Sequence, residues 1–291
     1  MDTGGTFTDA VGIDLSGGVH RAKILSSAAL RGTVVRALSR DRLEIGPGAD
    51  LPEGFLEGFT FRLLGQSRGP NERTVRRHGP GSGTIEIAPP FSAPPSPGTA
   101  FEAGSDEEAP ILAARLLTRT PLRAPLPPIA LRLATTLGTN ALLERRGAPA
   151  ALFITRGFGD LLEIGTQQRP ELFALDIRRP RPLHAAVVEV RERLTADGSV
   201  LRPLDESALV DEAATLVNRG LRVAAVALLH ADRNPRHEER VEAILRAAGF
   251  EQVSRSSDLS PFVRLLPRAT TAVADAYLSP IVRGYLQRVR A

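Results

Sequence analysis

The residues best suited to chemistry stand at the very start of the chain, in Asp2-Thr3-Gly4-Gly5-Thr6-Phe7-Thr8-Asp9. Paired glycines let a backbone turn tightly and approach a bound anion with no Cβ in the way. The amides of such a turn, with the hydroxyls of Thr6 and Thr8, can donate to phosphate oxygens. Asp2 and Asp9 could hold Mg²⁺ directly or through water, since that ion favours carboxylates, phosphates and retained waters. Spacing alone also admits an ordinary hairpin turn with Gly4-Gly5 at its tip.

A second group of donors, Thr135, Thr136, Thr139 and Asn140, stands just before a helical pattern. A helix start attracts anions, so these could contact phosphate or a substrate carboxylate; capping by Thr139 or Asn140 would need no ligand. Arg169, Arg178, Arg179 and Arg181 lie in a loop punctuated by proline, where one guanidinium could hold a carboxylate bidentately or simply be solvated. Asp160 and Glu163 are supporting acids without a readable pairing. His20, His78, His184, His230 and His237 are scattered without metal-ligand spacing, and His237-Glu238-Glu239 lacks the second histidine of a zinc helix. His230 follows an apolar run and could sit at a strand end near a ligand, or be a hydrogen-bonded edge residue.

These groups need elements to hold them. Gly and Pro make up 21 of the 65 residues from Gly46 to Pro110, against 28 of the other 226. Alternating runs survive inside that stretch at Phe59–Leu63, Thr84–Ile87 and Ala100–Glu102, which predicts short strands between turns. A small β-rich insertion is therefore expected from Ala28 to Gly104, with Pro89–Pro97 readable as a proline-rich loop. Beyond it helices and strands alternate. Acidic residues at Asp106–Glu108 precede a helix over Ile111–Leu117. Thr139–Arg146 reads as a helix stopped by Gly147, and Ala150–Ile154 as a buried strand. Asp205 should cap a helix carrying Leu209, Ala213, Leu216 and Val217 and ending at Gly220. Val223–Leu229 has strand length, and Val241, Ile244, Leu245 and Ala248 fall at helical spacing before Gly249. This alternation argues for an α/β domain with helices over a central sheet.

Composition narrows the field. With 291 residues there is room for two domains, or one with an insertion. The chain has no cysteine, which removes disulfides, thiolate nucleophiles and Cys-ligated metal sites and suits a reducing cytoplasm. The net charge is +4, but 37 basic and 33 acidic residues are interspersed, and aromatics are only 4%. Nucleic acid would call for a basic stripe with stacking aromatics, and it is not expected. No signal peptide is readable after Met1, and no apolar run approaches the roughly 18 residues of a membrane span.

The opening octet resembles the first phosphate loop of the actin/sugar-kinase/heat-shock ATPase superfamily, in the version that begins hydantoinase A and 5-oxoprolinase chains. Three further stretches are similar to that family in order. They are Ala134-Thr135-Thr136-Leu137-Gly138-Thr139-Asn140-Ala141-Leu142-Leu143-Glu144-Arg145, then Thr155 to Gln167, then Pro267-Arg268 through Ala274-Asp275-Ala276-Tyr277-Leu278-Ser279-Pro280. Ala134 stands where the family has Gly, and Leu133 where many hydantoinases have His. Ile164-Gly165-Thr166-Gln167 is nearer to oxoprolinases.

The resemblance implies a ribonuclease-H-like (actin-like ATPase) α/β lobe over 1–27 and 105–250, interrupted by the β-rich insertion over 28–104. Residues 251–291 would begin the following hydantoinase A domain. It implies a cytoplasmic ATP-dependent hydrolase of cyclic amides, opening 5-oxoproline to glutamate (a link to glutathione metabolism) or a hydantoin ring. ATP and Mg²⁺ would be its cofactors, and the remaining hydantoinase A and B regions or subunits its partners. Asp2 and Asp9 would be catalytic, with Asp2 placing the metal. Gly4, Gly5, Thr6, Thr8, Thr135, Thr136, Thr139 and Asn140 would bind the cofactor. One Asp-x-Gly-Gly-Thr motif is present where a two-lobed ATPase needs two loops, and Met1 leaves no preceding strand, so the chain is expected to be a fragment inactive alone. A non-catalytic assembly subunit and an acetone-carboxylase-type β subunit are the other readings.

Overall fold

A computed structural model describes residues 1–46, 50–65, 72–79, 83–167, 173, 175 and 180–290 of a mixed α/β chain. The chain divides into two compact units, Met1–Asn140 with Tyr285–Ala291, and Ala141–Gly284.

The first unit opens with β1 (Asp2–Thr3), β2 (Phe7–Ile13) and β3 (Val19–Leu25), each antiparallel to the next. The later β10 (Ala134–Thr135) lies parallel to β1 on its other side, giving the order β3-β2-β1-β10. A strand ahead of the glycines, which the sequence left no room for, is thus present as two residues paired on both edges. Strand residues alternate between faces. Ala10 and Ile24 turn to one side, under helix α1 (Ala109–Thr118), where Ala109, Leu112 and Ala113 are buried with them.

Past Leu25 the sheet rolls up. The strands β4 (Ala29–Ala37), β5 (Arg42–Gly46), β6 (Thr60–Leu63), β7 (Arg73–His78), β8 (Thr84–Ala88) and β9 (Ala100–Gly104) pair in the order β4-β5-β8-β7-β6-β9, and β9 pairs back onto β4. The result is a closed antiparallel barrel with no free edge. Its interior is filled by Val34, Leu43, Phe59, Phe61, Val75 and Ile85, all buried, with Phe61 stacked on Phe101 at 4.7 Å. Closure forces one tight crossing: a Cβ on Gly32 would stand 2.1 Å from the Gly46 carbonyl oxygen. Sequence periodicity found only β6, β8 and β9. The strand β7 escapes it because its register slips between Val75 and Arg77, so the alternation fails over Arg73-Thr74-Val75-Arg76-Arg77.

The helix α2 (Leu137–Leu143) follows β10, earlier and shorter than Thr139–Arg146. Arg145 takes the left-handed conformation that closes it (φ 53°). Gly147 is needed for another reason, since a Cβ there would lie 1.9 Å from the ring of Tyr277.

The second unit holds a four-stranded parallel sheet in the order β12-β11-β15-β16, formed by β11 (Ala150–Thr155), β12 (His184–Val190), β15 (Val223–Ala227) and β16 (Gln252–Arg255). A small antiparallel pair, β13 (Arg193–Leu194) and β14 (Val200–Arg202), lies between β12 and β15 in the chain. Every residue of β11 and β15 is buried, as expected of central strands covered on both faces. Ala151 and Phe153 pack with residues of α4 (Glu206–Asn218) and α5 (Arg236–Ala248). Ala150, Leu152 and Ile154 pack instead against Leu265, Ala269, Ala272 and Ala276 of α7 (Leu265–Arg290). Short α3 (Leu161–Ile164) and α6 (Ser256–Leu259) complete the elements. Asp205 caps α4 through the Ala208 amide at 3.2 Å, and Gly220 and Gly249 take positive φ just past α4 and α5. Among the described residues no helix is long and apolar enough to cross a membrane.

Candidate functional site

The opening octet is a β-hairpin whose loop is Gly4-Gly5-Thr6, closed by the Gly4 amide on the Phe7 carbonyl at 3.0 Å. The ladder register pairs Asp2 with Asp9 and Asp9 with Lys23, so these three share one solvent-exposed face. Thr3, Thr8 and Ile24 form the next row and look inward. Both Asp9 carboxylate oxygens accept from Lys23 Nζ, at 3.0 and 3.1 Å, and that ammonium stands 4.9 Å from the Phe7 ring centre. Asp2 makes no hydrogen bond or ion pair with a described residue through its carboxylate, which leaves that group open to solvent.

Thr8 departs from its expected role. It is completely buried, and its hydroxyl meets Thr3 Oγ1 at 3.4 Å and Ser26 Oγ at 3.1 Å. That hydroxyl secures the base of the hairpin and is not presented at the loop. The reason is pleat parity: Asp9 faces out, so its neighbour must face in.

Ser26, which no sequence signal selects, grips the loop from behind. Its amide donates to Thr6 O at 2.9 Å and its hydroxyl to Gly4 O at 2.9 Å. With both flanking carbonyls held, the amides of Gly5 and Thr6 donate to no described residue, and both residues are exposed. One serine of the pair Ser26-Ser27, 22 positions from Gly4, carries no local pattern that would single it out.

The end of β10 comes alongside. Thr136 N donates to Thr3 O at 3.1 Å, so the chain leaves β10 next to the hairpin. Asn140 Nδ2 donates to Thr136 Oγ1 at 3.3 Å, and a Cβ on Gly5 would lie 3.3 Å from that same nitrogen. Neither Gly4 nor Gly5 takes a positive φ; at Gly5 the glycine permits close approach. Capping falls to Thr135, whose Oγ1 accepts from the Leu137 amide at 3.1 Å, rather than to Thr139 or Asn140. Thr139 is exposed inside α2, and its side chain hydrogen-bonds to no described residue. The structure therefore gathers Asp2, Asp9, Gly4, Gly5, Thr6, Thr136 and Asn140, turns Thr8 inward, and leaves Thr135 as a cap.

The His230 backbone carbonyl accepts from the Arg233 and Asn234 amides in a turn, at φ 61°. Arg181 offers its carbonyl to Arg145 at 2.7 Å, while Arg169, Arg178 and Arg179 lie outside the described residues. Glu163 lies beside His184, whose pKa burial pushes down while Glu163 opposes that shift. Sequence reading missed a buried polar cluster at the carboxyl ends of the parallel strands. There Glu192 joins the Thr155 hydroxyl to His237 Nδ1, the latter at 2.7 Å. Glu238 takes the Leu228 amide at 2.8 Å and the Ser256 hydroxyl at 2.6 Å, and fully buried Arg268 donates to Leu228 O at 2.8 Å. Burial lowers the Arg268 pKa, opposed by Glu238 and Asp232. The only local signs were a polar residue ending the buried strand β11, at Thr155, and another directly after β16, at Ser256. Among the described residues no three His, Asp or Glu side chains are grouped to hold a metal ion.

Residues 112–249 match the family described as the hydantoinase/oxoprolinase N-terminal region. An uncharacterised protein of Schizosaccharomyces pombe is 44% identical over 173 residues, a match covering 54% of this chain and 14% of that protein. The 5-oxoprolinase 1 of Arabidopsis thaliana is 41% identical over 175 residues, covering 54% of this chain and 14% of that enzyme. Among solved structures, the ATP-dependent caprolactamase from Pseudomonas jessenii is similar with a TM-score of 0.50 and 32% identity, over 55% of this chain and 24% of that chain. The matched region is thus about one-seventh of the length of these two relatives.

Proposed function

The chain carries a hydantoinase/oxoprolinase N-terminal region, and from that premise we propose that it is the N-terminal part of an ATP-dependent hydrolase opening a cyclic amide, 5-oxoproline or a hydantoin. One observation carries the reading: the amides of Gly5 and Thr6 are exposed and donate to no described residue, Gly5 stands beside Asn140, and Asp2 and Asp9 are opposed on the adjoining strands. The strand order β3-β2-β1-β10, with only β10 parallel to β1, supports assigning this sheet to a ribonuclease-H-like lobe.

The donor set fits the cofactor. Two amides and the Thr6 hydroxyl suit phosphate oxygens. One or two carboxylates are what Mg²⁺ asks of a protein when phosphates and water complete its shell, so the absence of a three-carboxylate cluster among the described residues is compatible with it. When bound, Mg·ATP supplies the phosphoryl group that makes the amide carbon electrophilic. Gly5 and Thr6 then orient phosphate oxygens, and Asp2 offers the open carboxylate. Lys23 holds Asp9 in place, and Ser26 with Thr8 keeps the loop in shape, the preorganisation on which electrostatic catalysis depends. A single loop of this kind makes the 291-residue chain inactive by itself, with turnover requiring further hydantoinase A and B regions.

The test is phosphate release from Mg·ATP with 5-oxoproline, hydantoin or no amide, using this chain alone and with its partner polypeptide. Release stimulated by one amide only in the combined sample is the expected result. The second reading, a non-catalytic assembly subunit, draws on the outer face of β2 and β3, where Val11, Ile13 and Val19 are more than half exposed. It gains if the folded combination releases no phosphate with any amide.

A further inference from the structure

The first unit contains a pocket of about 400 Å³ lined by residues of β3, β4, β9 and α1. That lies within the roughly 300–1,000 Å³ of small-molecule sites. Its walls are aliphatic and aromatic, with Leu25, Leu30, Leu51, Leu56 and Phe101 among them, and the two cations that line it are Lys23 and Arg31. The phosphate-loop reading makes no use of this space.

The two cations are not equivalent. Lys23 is neutralised by both oxygens of Asp9. Arg31 shares its partner: its Nε donates to Glu102 Oε2 at 3.1 Å, while Arg62 takes Glu102 Oε1 at 2.6 Å. Two guanidiniums therefore face one nearly buried carboxylate, with one positive charge in excess. The Arg31 side chain is 58% exposed, and its two terminal amino groups donate to no described residue. An apolar cavity with Arg31 among its lining residues, a residue whose terminal nitrogens donate to no described residue, suits a ligand with an apolar body and a planar anionic head at the cavity mouth. A neutral head forgoes the charge-assisted bond, and a cationic head is repelled.

We propose that this pocket binds a monocarboxylate with a medium-length aliphatic body, its head on Arg31. The pocket shares Phe7 and Lys23 with the hairpin, and its anion site is Arg31. The experiment is calorimetric titration of the 291-residue chain with octanoate, octan-1-ol and octylamine, which share one body and differ in the head. Saturable one-to-one binding of octanoate is expected, at least about ten-fold tighter than the alcohol, with the amine weakest. Arg31→Gln should bring octanoate down to the affinity of the alcohol, because Arg62 still holds Glu102. Leu51→Trp should fill the cavity and abolish binding of both. Should that variant lose its circular-dichroism signature, Leu30→Trp, at another lining residue, serves the same purpose.

The proposal is overturned by any of four results: no saturable binding, equal affinities for acid and alcohol, a preference surviving Arg31→Gln, or octanoate binding unchanged in a folded cavity-filled variant.

Discussion

Removing the Ser26 hydroxyl tests whether the hairpin loop is held from behind. Ser26→Ala deletes the bond to Gly4 O at 2.9 Å and the contact with Thr8 Oγ1 at 3.1 Å, while the Ser26 amide keeps Thr6 O. The first loss is a neutral hydrogen bond of about 1 kcal/mol net. The second leaves the fully buried Thr8 hydroxyl with a single long contact to Thr3 at 3.4 Å, for about 1 kcal/mol more. A total near 2 kcal/mol corresponds to a fall of roughly 4–8 °C in the midpoint of a unit of this size. Thr6→Ala is the control, because Thr6 is exposed and its side chain bonds to nothing described, so its stability change should stay within about 0.5 kcal/mol. Differential scanning calorimetry reads the stabilities, and titration with Mg·ATP reads the loop. Both variants should weaken nucleotide binding, but only Ser26→Ala should unfold earlier. An unchanged midpoint for Ser26→Ala, or an equal loss for Thr6→Ala, would refute the reasoning.

Asp2→Asn should leave the thermal midpoint unchanged, since the carboxylate has no described partner, yet weaken Mg²⁺-dependent nucleotide binding; equal weakening with and without Mg²⁺ would count against a metal role. Gly147→Ala should cost about 1–3 kcal/mol by driving a methyl into the Tyr277 ring, and Tyr277→Leu in the same chain should recover part of it on denaturant titration. The Asp205 carboxyl is held below its usual range, first by the Ala208 amide, then by the Ser207 hydroxyl and Arg191, against burial. A depressed folded pKa stabilises above the unfolded value and is lost as pH falls through the folded one. Lowering the pH through the carboxylate range should therefore cost the natural chain more stability than Asp205→Asn, as thermal midpoints at successive pH values would show.

Local signals carried several elements correctly. Asp205, Gly220 and Gly249 mark helix ends because capping and positive φ are demands of single positions. The uninterrupted apolar runs around Leu152 and Val226 announced strands covered on both faces, since only such strands have no polar side to show. Gly4, Gly5 and Thr6 were legible as one turn, because the bond that closes it, Gly4 N to Phe7 O, lies within a few residues.

Tertiary structure decided the rest wherever distant pairing was involved. Barrel closure depends on β4 meeting β9, about 70 residues onward along the chain. The bulge in β7 erased the alternation that would have revealed that strand. Thr8 faces inward because β1 and β2 pair in a register that puts Asp2 opposite Asp9, and Ser26 matters because the next hairpin folds it behind the loop. Gly147 looked like a helix stop until Tyr277 was packed over it. A sequence displays propensities over one or two turns of backbone; the face a side chain occupies, and the partner it finds there, follow from pairings that only the folded chain selects.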